Sequence, residues 1–187
     1  LRQLKLDELK EFIAISKLLG DDLSFVQAGG GNTSQKIDDY KMAVKSSGSY
    51  LRDISAEKGF CIVDFKNIQK YHDFPASTED QYSQDINDFV EHGDSRPSME
   101  SGFHALIPKT YVLHSHPVYL NVLLCSQEGE AIISEMYPDS IFIKSIAPGK
   151  KLSMKINSIL QHMQEKESYT FFLQNHGLIT ASDDLLD

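Results

Sequence analysis

The sequence predicts an α/β fold: a three-layer α/β/α sandwich with a central, mostly antiparallel sheet. Three observations predict it. Short strand-like runs mix with amphipathic stretches but lack the regular strand–helix–strand repeat of a parallel sheet. Turns rich in glycine and serine separate the early runs, as tight connections require. The chain has 187 residues, 41% of them hydrophobic, which suits one compact domain with a real core.

The elements follow in order. Residues 3–19 set Leu4, Leu9, Phe12, Ile13, Ile15, Leu18 and Leu19 at helical spacing, and Gly20 supplies a stop. A strand over 23–27 is broken by the loop Ala28-Gly29-Gly30-Gly31-Asn32. Strands follow at 33–37, 42–45 and 61–63, with the turn Ser46-Ser47-Gly48 between the last two. Residues 65–95 are polar and helical in part, with an exposed hinge around 72–77. A helix starts near Pro97, a residue suited to a first helical position. Residues 111–116 form a buried strand, and Pro117 opens another short helix. A strand at 141–143 and an amphipathic helix at 152–164 come next. Strands at 169–173 and 178–181 flank Asn175-His176-Gly177, and Ser182 or Asp183 caps a following helix.

Composition narrows the function classes. The net charge is −9, the pI is about 5.2, and no basic run occurs. Nucleic acid and anionic membranes are therefore poor partners. No apolar stretch approaches the roughly 20 residues a membrane span needs. The N-terminal LRQLKLDELKEF is charged throughout, unlike a signal peptide. Cys61 and Cys125 lie in apolar runs, which predicts buried thiols rather than a disulfide. These features point to the cytoplasm.

Three patterns carry chemistry. In His114-Ser115-His116 the two imidazoles share one face of a strand and can meet one ion. His176 follows a second strand, and three neutral imidazoles leave a fourth position open, as in a catalytic zinc site. In Pro97-Ser98-Met99-Glu100, a helix start at Pro97 would put Ser98 and Glu100 in the first turn. Ser98 would there help bind an anion, and Glu100 would serve as ligand or base. His104, one turn on, reads as a hydrogen-bonded packing residue. The glycine run 29–31 with Asn32, and the Ser46-Ser47-Gly48 turn, can present N–H groups to an anion.

The ordered set GGGNTS, KSSG, PSMES with its downstream histidine, HSH and NHG resembles the class II aldolase/adducin family, over nearly the whole chain. The resemblance implies zinc, or another divalent metal, on His114, His116 and His176. It implies Glu100 as the catalytic acid/base, and Gly31, Asn32, Ser47, Gly48 and Ser98 as binders of a substrate phosphate. The implied reaction is reversible aldol cleavage of a sugar phosphate or related hydroxy-ketone through a metal-stabilised enediolate. Epimerisation, decarboxylation and dehydration on the same metal are alternatives. So are metal-dependent hydrolysis and a non-catalytic adducin-like interaction module. The resemblance also implies a homotetramer, and one domain over 1–187 that stops before the family's C-terminal helix and tail. The sequence departs from the family's aldolases at Met99, where a serine is common, and Tyr137 has no motif to assign it a role.

Overall fold

The structure, a computed structural model, describes residues 6–72, 78–93 and 95–185. Helix α1 spans Leu6–Asp21. Strands β1 (Asn32–Lys36), β2 (Lys41–Lys45) and β3 (Phe60–Asp64) form a meander, with a single 3-10 turn at Leu51–Asp53 between the last two. Helices α2 (Phe65–Tyr71) and α3 (Glu79–Asn87) lead to β4 (Val90–His92). Then come α4 (Ser101–Leu106), β5 (Tyr111–Ser115), α5 (Val118–Leu124) and α6 (Gly129–Met136). The described part ends with β6 (Ile141–Ile143), α7 (Lys150–Leu160), β7 (Ser168–Leu173) and β8 (Gly177–Ser182).

All eight strands join one sheet in the order β4-β3-β2-β1-β5-β8-β7-β6. Every pairing is antiparallel except β6 with β7. Strand alternation sends neighbouring side chains to opposite faces. On β2, Met42 and Val44 pack with Ile68 of α2 and Tyr82 and Ile86 of α3, whereas Ala43 packs with Leu9 and Phe12 of α1. Farther along the sheet, Phe171 and Ile179 pack with Phe103 of α4 and Leu152 and Ile156 of α7. Phe172 turns the other way, to Leu124 of α5 and Ile133 of α6. The sandwich therefore has α2, α3, α4 and α7 on one face and α1, α5 and α6 on the other. Each fully buried large aliphatic or aromatic side chain contributes about 1.5–3 kcal/mol to this packing.

Several elements differ from the sequence-based expectation. Residues 23–27 form a turn, because Asp22 accepts the N–H groups of Phe25 and Val26 on its carbonyl and that of Ser24 on its carboxylate. Helix α1 runs through Gly20 to Asp21. Pro97 does not begin a helix: it bridges to Ser46, the Ser98 N–H bonds to the Lys45 carbonyl, and α4 starts at Ser101 with Glu100 as its N-cap. His72 is buried against Tyr82 rather than exposed, and the rest of the expected 72–77 hinge lies outside the described residues. Cys61 is buried, but Cys125, at the end of α5, is exposed because Leu124 takes the inward position; both thiols are free. Asp183 does not cap a helix within the described residues: its carboxylate accepts from the Thr110 N–H, the Thr110 hydroxyl and the Lys109 ammonium. No helix among the described residues is long and apolar enough to cross a membrane.

Candidate metal centre

Register builds the centre. Strand β5 lies between β1 and β8, with His114 opposite Asn32 on one side and Ile179 on the other. His114 is fully buried on the α4 face, where its ring meets Phe103 edge-on. Just past the strand end, the His116 N–H is held by the Phe25 carbonyl at 2.8 Å. His176 sits in the β7–β8 turn, which Asn175 shapes with a left-handed φ of 59°. Gly177 lets that turn close on the other rings: a Cβ there would lie 2.3 Å from the Ser115 carbonyl oxygen and 2.8 Å from His116 Cδ2.

The three rings converge through their Nε2 atoms. His114 Nε2 is 3.0 Å from that of His116 and 3.2 Å from that of His176. Two ligands on one tetrahedral ion with bonds of 2.0–2.1 Å are roughly 3.3 Å apart, so the rings need little adjustment to hold one. His114 Nδ1 donates to the Leu178 carbonyl at 2.9 Å, which fixes the tautomer and leaves the Nε2 lone pair free for a metal. Burial, reinforced by neighbouring imidazoles, lowers His114 to about 3 and His176 to about 4, and burial lowers His116 as well. All three are therefore neutral near pH 7, the form that binds a metal.

A carboxylate completes the arrangement. Glu100 Oε2 lies 3.6 Å from His114 Nε2, and Oε1 lies 3.5 Å from His176 Nε2. The carboxylate thus faces the lone pair of His114 Nε2 in a buried space, an arrangement that a cation resolves. Burial raises the Glu100 pKa, opposed by His176, His116, Lys45 and a hydrogen bond from Asn32. Asn32 Nδ2 donates to Oε2 at 2.6 Å, while Oε1 is buried and accepts no hydrogen bond. These are donor atoms suited to a divalent metal, and among the described residues His114, His116 and His176 form a group that could hold one.

The loops expected to bind an anion converge beside this cluster. A Cβ on Gly30 would lie 3.0 Å from His116 Nδ1, so the glycine loop runs directly against a ligand ring. Gly31 and Gly48 both have positive φ, at 68° and 78°. The Ser47 N–H bonds to the Arg96 carbonyl, which sets the Ser47-Gly48 turn against the segment carrying Ser98. The Ser98 hydroxyl accepts the Glu100 N–H at 3.2 Å. The sequence reading missed Lys45. Its buried ammonium donates to the Gly29 carbonyl at 2.9 Å; burial lowers it to about 8, and Glu100 pulls it back up. No alternation in Lys41-Met42-Ala43-Val44-Lys45 marks it, because β2 buries both sets of side chains. His104 is the packing residue expected: its Nδ1 meets the Ser34 hydroxyl at 2.7 Å and its ring stacks on Phe103. Tyr137 packs on Phe172, at a ring distance of 5.3 Å.

Comparison with known proteins agrees with this fold. The chain is similar to the N-terminal class II aldolase domain of a conserved Thermoplasma acidophilum protein, with 24% identity and a TM-score of 0.81 over 96% of this chain and 84% of that one. It is also similar to a sugar-phosphate aldolase from Thermotoga maritima, with 14% identity and a TM-score of 0.66 over 96% of this chain and 86% of that one. At these identities the likeness is one of fold. Among curated proteins it is 29% identical over 188 residues to an uncharacterized oxidoreductase, YuxG, of Bacillus subtilis (strain 168). That match covers 92% of this chain, which spans 26% of the relative's length. A family profile described as the class II aldolase and adducin N-terminal domain matches residues 10–187. With that match over most of its length, the chain belongs to the class II aldolase and adducin N-terminal domain family.

Proposed function

We propose that the protein catalyses metal-dependent, reversible aldol cleavage of a sugar phosphate or a related hydroxy-ketone. The observation that carries this reading is Glu100: a buried carboxylate with one uncommitted oxygen, set 3.5–3.6 Å from two of three convergent imidazoles. His114, His116 and His176 would hold the ion, zinc in our reading. When bound, the ion supplies electrophilic stabilisation of the negative charge left by carbon–carbon cleavage. Glu100 takes up or returns the proton at the substrate carbon, and its burial keeps the carboxyl basic enough to do so. Gly31, Ser47, Gly48 and Ser98 present N–H and hydroxyl groups to a phosphate, and Lys45 adds the positive charge that an acidic chain otherwise lacks there. Of the five residues the resemblance assigns to the phosphate, Asn32 stands apart, because its side chain is already bonded to Glu100.

The same centre suits epimerisation, decarboxylation or dehydration, and a carboxylate at position 100 favours aldol cleavage or decarboxylation over epimerisation. A purely adducin-like interaction role fits poorly with a retained set of three histidines and Glu100. No recognised motif residue is left to take the proton from the hydroxyl that becomes the aldehyde on cleavage, and to return it to that oxygen on condensation. We therefore read the protein as a cytoplasmic homotetramer in which a neighbouring copy closes the site and supplies the group that exchanges that proton. The exposed Val118, Tyr119 and Val122 of α5, directly after His116, support this reading. Metal analysis of the purified chain, followed by a cleavage screen with phosphorylated and free ketoses, tests it. Stoichiometric zinc with release of an aldehyde is expected; a metal-loaded chain that cleaves none of them refutes the aldolase reading.

A further inference from the structure

We propose that Asn32 is a positioning residue for Glu100: it commits one carboxylate oxygen and turns the other toward the three-histidine cluster. This deepens the aldolase reading and rests on it for the identity of the acid/base. Sheet register supplies the geometry. Asn32 opens β1 directly opposite His114 of β5, and side chains opposed across an antiparallel pair share a face. The amide therefore lies beside a metal ligand by virtue of backbone pairing alone. Both partners are buried, Asn32 at 5% exposure and Glu100 at 7%.

The Asn32 amide is the one hydrogen-bond donor on the Glu100 carboxylate among the described residues. Nothing intrinsic fixes that carboxylate, since the terminal torsion of glutamate is broad and two-fold. The bond to Oε2 removes this freedom and leaves Oε1 facing His176 Nε2. A role on the phosphate fits the amide less well. An anion bonded to its remaining N–H would sit beside the like charge of Glu100. A neighbouring side-chain oxygen of Asn32 adds no donor for it either.

The test uses the metal-loaded full chain with Asn32→Ala. The expected result is a fall in kcat of about ten- to hundredfold, as for other partners that orient an active group, with KM for the ketose nearly unchanged. Affinity for inorganic phosphate, measured by calorimetry, should stay as in the parent. In the crystal, Glu100 should be displaced or adopt more than one conformer while the three imidazoles keep their places. Lost phosphate affinity with kcat retained would overturn the proposal and return Asn32 to anion binding. A Glu100 carboxylate unmoved in the crystal would overturn it too. Should the alanine variant fail to fold, Asn32→Ser supplies a shorter donor and is read the same way. If the parent cleaves no ketose, the aldolase reading fails, while the position of Glu100 in the variant crystal still decides what Asn32 does.

Discussion

The two ends of helix α4 each meet a charged side chain, half-buried Lys36 at one and buried Glu100 at the other, and they treat it in opposite ways. At the C-terminal end, Lys36 Nζ donates to the carbonyls of His104, Ile107 and Lys109 at 3.1, 2.6 and 2.7 Å. All three ammonium protons are used, on carbonyls that the end of a helix leaves without intrahelical partners. At the N-terminal end, Glu100 has one hydrogen bond, an oxygen with none, and two imidazole Nε2 atoms in front of it. A charge with every valence satisfied builds the fold. A buried charge left partly unsatisfied is a place prepared for a ligand.

That contrast can be broken from the ligand end. His114→Ala should abolish metal retention after gel filtration and bring cleavage to background, read by elemental analysis and aldehyde release. A variant that keeps stoichiometric metal would remove His114 from the centre. Glu100→Gln is the next largest expected effect. It should keep metal and fold but lower kcat by about 10²–10⁴-fold, the usual contribution of a proton shuttle. Near-normal turnover would show that the uncommitted oxygen has no part in the chemistry.

The other end sharpens the contrast. Lys36→Met should cost about 3 kcal/mol of stability in denaturant unfolding, because it strands buried carbonyls. Metal affinity should be nearly unchanged. A variant that lost metal in proportion to its stability would mean that the two ends are not separable. The metal-free chain offers a further test, through pH. His114 and His176 sit near 3 and 4 when folded, against an ordinary 6.5. The unfolded chain therefore takes up protons that the folded one refuses. Stability should be complete above about 6.5 and decline as pH falls through 4 toward 3. Flat stability across that range would contradict the buried, neutral state of these rings.

How much of this could be read in advance followed the range of the interactions. The three histidines were legible because alternation along one strand and a tight turn after another are local facts. The structure brings them together with Glu100, although that residue is the N-cap of α4 rather than part of its first turn. The Asn32–Glu100 bond was not legible: it joins residues 68 apart and exists only through the β1–β5 register. Lys45 was hidden because its burial depends on β2 being covered on both faces. Helix α6 escaped notice because its N-cap Glu128 makes no side-chain capping bond, so no stop-and-start pattern marks it. The false strand at 23–27 shows the converse, where a nearby aspartate captured the backbone before any neighbour could pair with it.

The sheet has a further consequence at its margins. Its outermost strands, β4 and β6, are three residues each. Such stubs offer too few free N–H and C=O groups to template another chain, so growth by edge-to-edge addition is suppressed. An eight-stranded sheet would otherwise be a broad invitation to fibrous stacking. The helical layers are where the proposed contact between copies would fall, with Tyr119 of α5 82% exposed.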